Sequence, residues 1–307
     1  MLEKIKKTEE YKLIEHIPEE LLDNQRLENF ILSVREEKEK KTRLESLPYH
    51  YVIEPTNACN LRCPLCPTGL QFKSRKSGIL KMDQFEKILS KIEPYALEIY
   101  LQNWGESTLV KYLPEIIKKC SDKKIYTNLS TNFSIQYKGD FLERLINSGL
   151  TVLHVDLDGL DNETYKMYRK NGDLNIVLQN LRKAIEIKKT MNLKYPSIET
   201  AMLAMKHNEH QFSEFLNFSK SLGVDKYFVN RIQVNPNNGA SQKWLPKNKD
   251  YVYDSYLNNT KAIKACHWPW SGMVINWDGN ISACCIVDDA KSDFGNIFNK
   301  SIKTVWN

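Results

Sequence analysis

No run in this 307-residue sequence is apolar for long enough to cross a bilayer, so no membrane partner is expected. The opening residues, Met1-Leu2-Glu3-Lys4, carry charge where a signal peptide needs an apolar core, which makes the cytoplasm the expected location. A basic stripe interleaved with stacking aromatics is absent, and with it the case for a nucleic-acid partner. The net charge of +6 is spread by alternation, as in Glu36-Glu37-Lys38-Glu39-Lys40-Lys41, the pattern of a solvated helix face. There is no internal repeat and no low-complexity tract. The seven cysteines are an odd number in a chain without an export signal, which argues against a disulfide framework and leaves the thiols free for metal.

What is present reads as one large α/β domain, or one domain with a small appendage. The hydrophobic share of 41% is enough for a sizeable core. Residues 1–47 read as a charged helical extension with a stripe of Leu21, Leu22, Leu27, Phe30, Ile31 and Val34. From there six segments rich in Val, Ile, Leu and Tyr, at 51–55, 96–102, 125–130, 151–157, 197–204 and 226–232, alternate with helical periodicity. A helix over 83–93 is expected to be capped by Asp83 with Glu86 as its capping-box partner. Others span 140–148, closed by Gly149, then 175–190, then 209–222, closed by Gly223. Such alternation implies a parallel sheet with right-handed crossovers, either open or curved into a partial barrel. The stretch 235–265 opens on a turn-rich Asn235-Pro236-Asn237-Asn238-Gly239 and has no clear period.

The chemistry concentrates in Cys59-Asn60-Leu61-Arg62-Cys63-Pro64-Leu65-Cys66, directly after the first strand. In barrel-like α/β folds, loops at the carboxyl ends of strands carry function. Three soft thiolates favour zinc or iron–sulfur. A structural zinc site wants a fourth protein ligand close by, and none is present. Electron-transfer clusters also take four cysteines, whereas a cubane on three leaves one iron open. Cys120, late in a helix, reads as packing.

This spacing and placement resemble the radical S-adenosylmethionine (SAM) superfamily, whose CxxxCxxC loop follows the first strand; the aromatic common before the last cysteine is Leu65 here. The resemblance implies a partial (β/α)6 TIM-like barrel with a [4Fe–4S] cluster on Cys59, Cys63 and Cys66 and SAM on the open iron. It places the Gly-Gly-Glu-like turn that meets the SAM amino group at Asn103-Trp104-Gly105-Glu106, where Asn103 and Trp104 depart from the common pattern. By the same likeness Gly105, Glu106, Ser130, Asn132, Asp156 and Arg169 bind the cofactor, Arg169 through the SAM carboxylate. Physically, polar groups at the ends of successive strands are where a barrel gathers a site, although Ser130 and Asn132 also suit turns and Arg169 an ordinary ion pair.

The C-terminal stretch resembles the start of a SPASM or Twitch module, on Cys266, Gly279-Asn280-Ile281-Ser282-Ala283-Cys284-Cys285, Gly295-Asn296-Ile297-Phe298 and Val305-Trp306-Asn307. In that family the first two cysteines help hold an auxiliary cluster, which implies Cys266 and Cys284; Cys285 reads equally as a ligand's neighbour in a core. Asp278-Gly279 reads as a hairpin turn between Met273–Trp277 and Ile281–Cys285. Tryptophans 268, 270, 277 and 306 suit a small core better than a substrate channel. The family's next cysteines fall beyond the Trp-Asn pair, where this sequence stops. A longer parent chain is the favoured account, beside an unusual further ligand or a module without a cluster. The expected division is 1–47 extension, 48–240 core, 241–265 linker and 266–307 auxiliary-cluster module.

The implied activity is reductive cleavage of SAM to a 5′-deoxyadenosyl radical that takes hydrogen from a substrate. SPASM-type relatives imply a peptide or a sugar- or alcohol-like small molecule, with a flavodoxin- or ferredoxin-type reductant. The short helical extension disfavours a leader-dependent peptide maturase, and no cobalamin domain fits in the length. The rival readings are a non-enzymatic electron-transfer iron–sulfur protein, a structural zinc protein and an inactive scaffold.

Overall fold

The computed structural model describes residues 1–71, 74–234, 243–253 and 266–307. Nine strands among them form one sheet: β1 His50–Ile53, β2 Glu98–Tyr100, β3 Tyr126–Thr131, β4 Val152–Asp156, β5 Ser197–Ala204, β6 Lys226–Arg231, β7 Gly272–Ile275, β8 Asn280–Ser282 and β9 Gly295–Asn296. Their order is β6-β5-β4-β3-β2-β1-β7-β8-β9. The first six run parallel, and the sheet stays unclosed, so the architecture is the partial TIM-like barrel. All six strands expected between 51 and 232 are present, most of them trimmed at the ends.

Alternation decides which side of each strand is buried. Tyr51, Ile53, Ile99, Leu129, Leu153, Val155 and Ile198 pack into the main apolar core with the helices. His50, Glu98, Tyr100, His154 and Glu199 occupy the alternate positions, so the inner face is polar.

The helices that form this core are α3 Met82–Ile92, α4 Leu113–Asp122, α5 Phe141–Ile146, α6 Asn162–Tyr168, α7 Leu174–Thr190 and α8 Phe212–Leu222. α3 starts one residue before the expected 83–93, and its cap is not Asp83. The Gln84 side chain accepts from the Lys81 N–H at 3.0 Å, while Asp83 sits in the first turn, where its charge meets the helix dipole. Expected helix 209–222 begins as a single 3₁₀ turn, Glu209–Gln211, before α8. Gly149 and Gly223 follow α5 and α8 with φ of +83° and +78°, the left-handed conformation glycine adopts without strain. Cys120 is fully buried in the main core.

Residues 1–47 are not one helix. They comprise α1 Leu2–Ile5, two 3₁₀ turns and α2 Asn24–Lys38, with Pro18 opening the second turn and Asp23 capping α2 through the Arg26 N–H. Ile5, Ile14, Ile17, Leu27 and Phe30 pack on Tyr49, Leu97, Tyr126 and Val152, all at the starts of strands. The extension therefore seals the barrel floor. His16 reaches through it to Glu98 at 2.9 Å, and His50 holds the other oxygen of that carboxylate at 2.7 Å.

The C-terminal segment is no detached module. β7 lies parallel against β1, pairing His50 with Gly272 through Ile53 with Ile275, and it continues the core sheet. The hairpin is shorter than read from the sequence, with Gly279 at φ +79° in its turn. Of the expected linker, residues 243–253 pack on the core: Trp244 is buried beside Leu61, Cys63 and Tyr168. The turn-rich 235–239 and residues 254–265 lie outside the described residues.

Candidate active site

The loop leaving β1 is fixed from below. Leu61 is 1% exposed and anchors an apolar cluster with Tyr168, Met205, Ile232 and Trp244. The Arg62 N–H donates to the Lys170 carbonyl at 2.9 Å, tying the loop to the end of α6. The loop after β2 lies flat against it. A Cβ on Gly105 would stand 1.9 Å from the Thr56 carbonyl oxygen, so only glycine fits there, and the Glu106 N–H donates to the Ala58 carbonyl at 2.8 Å.

A cavity of about 300 Å³ opens above these loops and is lined by Cys59, Cys63 and Cys66 together with Gly105, Glu106, Ser130, Asn132, Asp156 and Arg169. Every residue expected to touch the core cofactors is thus brought to one place. The sequence reading missed Gln102, Tyr168 and Leu203, which line it too. Gln102 stands just past β2 and could have been found by position; Leu203 is apolar and gave no signal. Two roomier hollows, of about 580 Å³ beside α5 and α7 and about 470 Å³ under the N-terminal extension, hold no cysteine and lie away from the strand ends.

Burial pushes the Cys59 thiol up to about 12 and the Cys63 thiol up to about 11; at Cys63 the Arg169 guanidinium opposes the rise. Both are therefore protonated at neutral pH as free thiols, and a metal must displace the proton. The Leu61 N–H already points at the Cys59 sulfur, 3.4 Å away. Among the described residues no three His, Cys, Asp or Glu side chains stand close enough to grip a single ion.

Glu106 is fully buried, and burial raises its carboxyl against the hydrogen bonds that lower it. Its Oε1 accepts from Thr108 and Thr131, and its Oε2 accepts from the Asn132 N–H at 2.8 Å. Arg169, at the end of α6, donates through Nε to Asp158 at 2.5 Å and forms an ion pair through Nη2 with Asp156 at 3.1 Å. Asp158 is shielded from solvent, and its other oxygen accepts from the Leu203 N–H at 2.7 Å, joining β5 to the same network. Asn132 Nδ2 donates to Asn60 Oδ1 at 3.0 Å, which links β3 to the cysteine loop. Ser130 is held through its backbone N–H by the Gln102 side chain. Asn208, in the loop after β5, is buried and braces Asp158 and Leu203 through their carbonyls.

The family model for the radical SAM superfamily matches residues 53–219, more than half of the chain and the whole of this cavity wall. The chain belongs to the radical SAM superfamily. A second model, for the SPASM iron–sulfur cluster-binding domain, matches residues 266–307. The chain is 23% identical over 294 residues to the tungsten-containing aldehyde ferredoxin oxidoreductase cofactor-modifying protein of Pyrococcus furiosus, covering 83% of this chain and 79% of that protein. It is 29% identical over 189 residues to the PqqA peptide cyclase of Bradyrhizobium diazoefficiens, covering 61% of this chain and 47% of that one. In fold it matches Streptococcus suis SuiB bound to S-adenosylmethionine with a TM-score of 0.67 at 18% identity, over 91% of this chain and 70% of that one.

This radical SAM protein is accordingly an enzyme whose cofactors are a [4Fe–4S] cluster and SAM, with an iron–sulfur domain at its C-terminal end. No helix among the described residues is long and apolar enough to cross a membrane. In the C-terminal domain Cys284 is half-exposed, and Cys266 and Cys285 are exposed. Partial burial of its sulfur and the adjacent Cys284 push the Cys285 thiol up. Trp277 and Trp306 pack, partly buried, against the main core and Trp268 packs on His50, and none of the three lines the main cavity.

Proposed function

We propose that Cys59, Cys63 and Cys66 hold the [4Fe–4S] cluster and that the cavity above them seats SAM for hydrogen abstraction from a peptide or a sugar- or alcohol-like small molecule. The observation that carries this reading is the convergence of three thiols, two carboxylates and a guanidinium on one cavity at the carboxyl ends of successive strands. Bound there, cluster and SAM supply one-electron cleavage of the sulfonium and a carbon radical.

The chain's own residues do the positioning. Glu106 offers an acceptor to the SAM ammonium while its other bonds lock the loops after β2 and β3 together. Arg169 donates to Asp158 and pairs with Asp156, which fixes the guanidinium plane and leaves donors for the SAM carboxylate. Ser130 and Asn132 face the ribose. The apolar cluster around Leu61 and Trp244 keeps water from the cluster side. Cys266 and Cys284 serve an auxiliary cluster in the 266–307 module, a flavodoxin- or ferredoxin-type protein supplies the electron, and 48–240 is the catalytic core. The likeness to a protein named a peptide cyclase favours a peptide among the substrates.

The test is 5′-deoxyadenosine formation by anaerobically reconstituted protein with SAM and dithionite, beside a Cys59→Ala, Cys63→Ala, Cys66→Ala triple variant. Product from the wild type alone supports the reading. A wild type that holds a full cluster and yields none would sink it in favour of an electron carrier.

A further inference from the structure

We infer that Trp104 is a positioning residue that ties the SAM-binding loop to the cysteine-bearing turn of the C-terminal domain, so that this domain sets the affinity of the core for SAM. The inference rests on the reading of residues 103–106 given above.

Trp104 stands where the resembling pattern has glycine, and glycine has no side chain to reach anything. Here the indole Nε1–H donates to the Val287 carbonyl at 3.3 Å. Val287 in turn donates its N–H to the Cys284 carbonyl at 3.2 Å, so the residue whose carbonyl Trp104 holds closes, through its N–H, the turn carrying Cys284 and Cys285. The Trp104 backbone N–H donates to Glu54 Oε1 at 3.1 Å, and Glu54 Oε2 accepts from the Trp277 N–H of the hairpin at 3.5 Å. Glu54, at the top of β1, is 1% exposed, so this carboxylate is a buried joint between the two loops. Asn103 Nδ2 adds a reach to Asn276 Oδ1 at 3.5 Å.

The same indole lines two spaces. On one side is the cysteine cavity of about 300 Å³, and on the other a slot of about 30 Å³ walled by Glu54, Arg75, Asn276 and Val287. Arg75 clamps that slot by pairing with Asp278 at 2.7 Å and Asp293 at 2.6 Å, both in the C-terminal domain. A shift of the Cys284–Val287 turn therefore has a direct route into the SAM cavity through Trp104. Coupling of this kind is reciprocal in binding free energy.

The experiment is equilibrium binding of radiolabelled SAM to the anaerobically reconstituted full chain, with the core cluster quantified by its electron paramagnetic resonance signal. Four proteins are compared: wild type, Trp104→Phe, Cys284→Ala and the double variant. Trp104→Phe keeps the ring and loses the N–H, and the expected weakening is about fivefold, the effect of one neutral hydrogen bond. Cys284→Ala alone is expected to weaken binding several-fold, and the double variant to be no weaker than the more affected single one. Should Trp104→Phe fold poorly, Trp104→Gly reads the same coupling: Cys284→Ala added to it should leave SAM affinity unchanged. Equal affinity in wild type and Trp104→Phe, no effect of Cys284→Ala, or effects that multiply in the double variant would each overturn the inference alone. A wild type that binds no SAM overturns the reading of the core and this inference with it.

Discussion

Arg169 and Asp158 are shut away from water together, with side-chain exposures of 11% and 0%. Such a pair contributes little compared with an apolar substitute, but removing one partner strands the other charge. Arg169→Ala is expected to cost about 3–5 kcal/mol in urea unfolding, and Asp158→Asn added to it to recover part of that loss. Equal stability of the single and double variants would show that Asp158 finds another partner. Glu54 gives a pH signature. Burial outweighs the N–H donors of Trp104 and Trp277 and lifts its carboxyl from 4.5 to about 7. The folded chain thus holds this proton more tightly than the unfolded one. Its contribution to stability is full below about pH 4.5 and is lost as pH climbs through about 7. Glu54→Gln carries no charge to penalise, so its stability relative to wild type should rise by roughly 2–3 kcal/mol between pH 5 and 8. A flat difference across that range would show that Glu54 titrates normally. At this scale the sequence was most readable where chemistry demands a residue type, as at the three cysteines, and least where a side chain acts through geometry. Trp104 looked like a disturbance of a glycine turn because its partner, Val287, is distant in the chain.

The strands and helices followed from their periodicity, since the main core is one apolar face per element repeated around a sheet. The N-terminal extension did not. Its stripe is real over α2, but the turns before it are shaped by contacts with strand starts that no local pattern encodes. Arg26 shows how it is locked. Its guanidinium donates to the Glu93 carbonyl at 2.9 Å, the Lys123 carbonyl at 2.8 Å and the Lys124 carbonyl at 3.0 Å. These lie at the carboxyl ends of α3 and α4, where unpaired carbonyls and the helix dipole both welcome a cation. Arg26→Ala is expected to lower stability by about 2–4 kcal/mol and to make 1–47 the first site of limited proteolysis. A variant as protease-resistant as wild type would mean that the apolar contacts of Ile14, Ile17 and Phe30 hold the floor without it.

Across the whole molecule, the sequence marked residues 266–307 as a module and concealed that they build the sheet. Pairing of β7 with β1 is a contact between segments far apart in the chain, and only a three-dimensional arrangement reveals it. Deleting 266–307 would bare the hydrogen-bonding edge of β1, whose Val52 and Ile53 are buried in the intact chain. An open parallel edge invites pairing with another chain. The shortened protein is expected to elute as oligomers in gel filtration, and a clean monomer would show that this edge needs no cover.

That pairing also bears on how the chain is made. His50 leaves the ribosome early, yet its neighbour Gly272 follows more than two hundred residues later. At roughly 5–20 residues per second, the first strand waits on the order of 10–45 s for its partner. Through that interval the nascent chain carries a half-built sheet with one raw margin, and the cysteine loop hangs from the strand that bears it. The cysteine loop gains its final surroundings only when β7 has closed that margin.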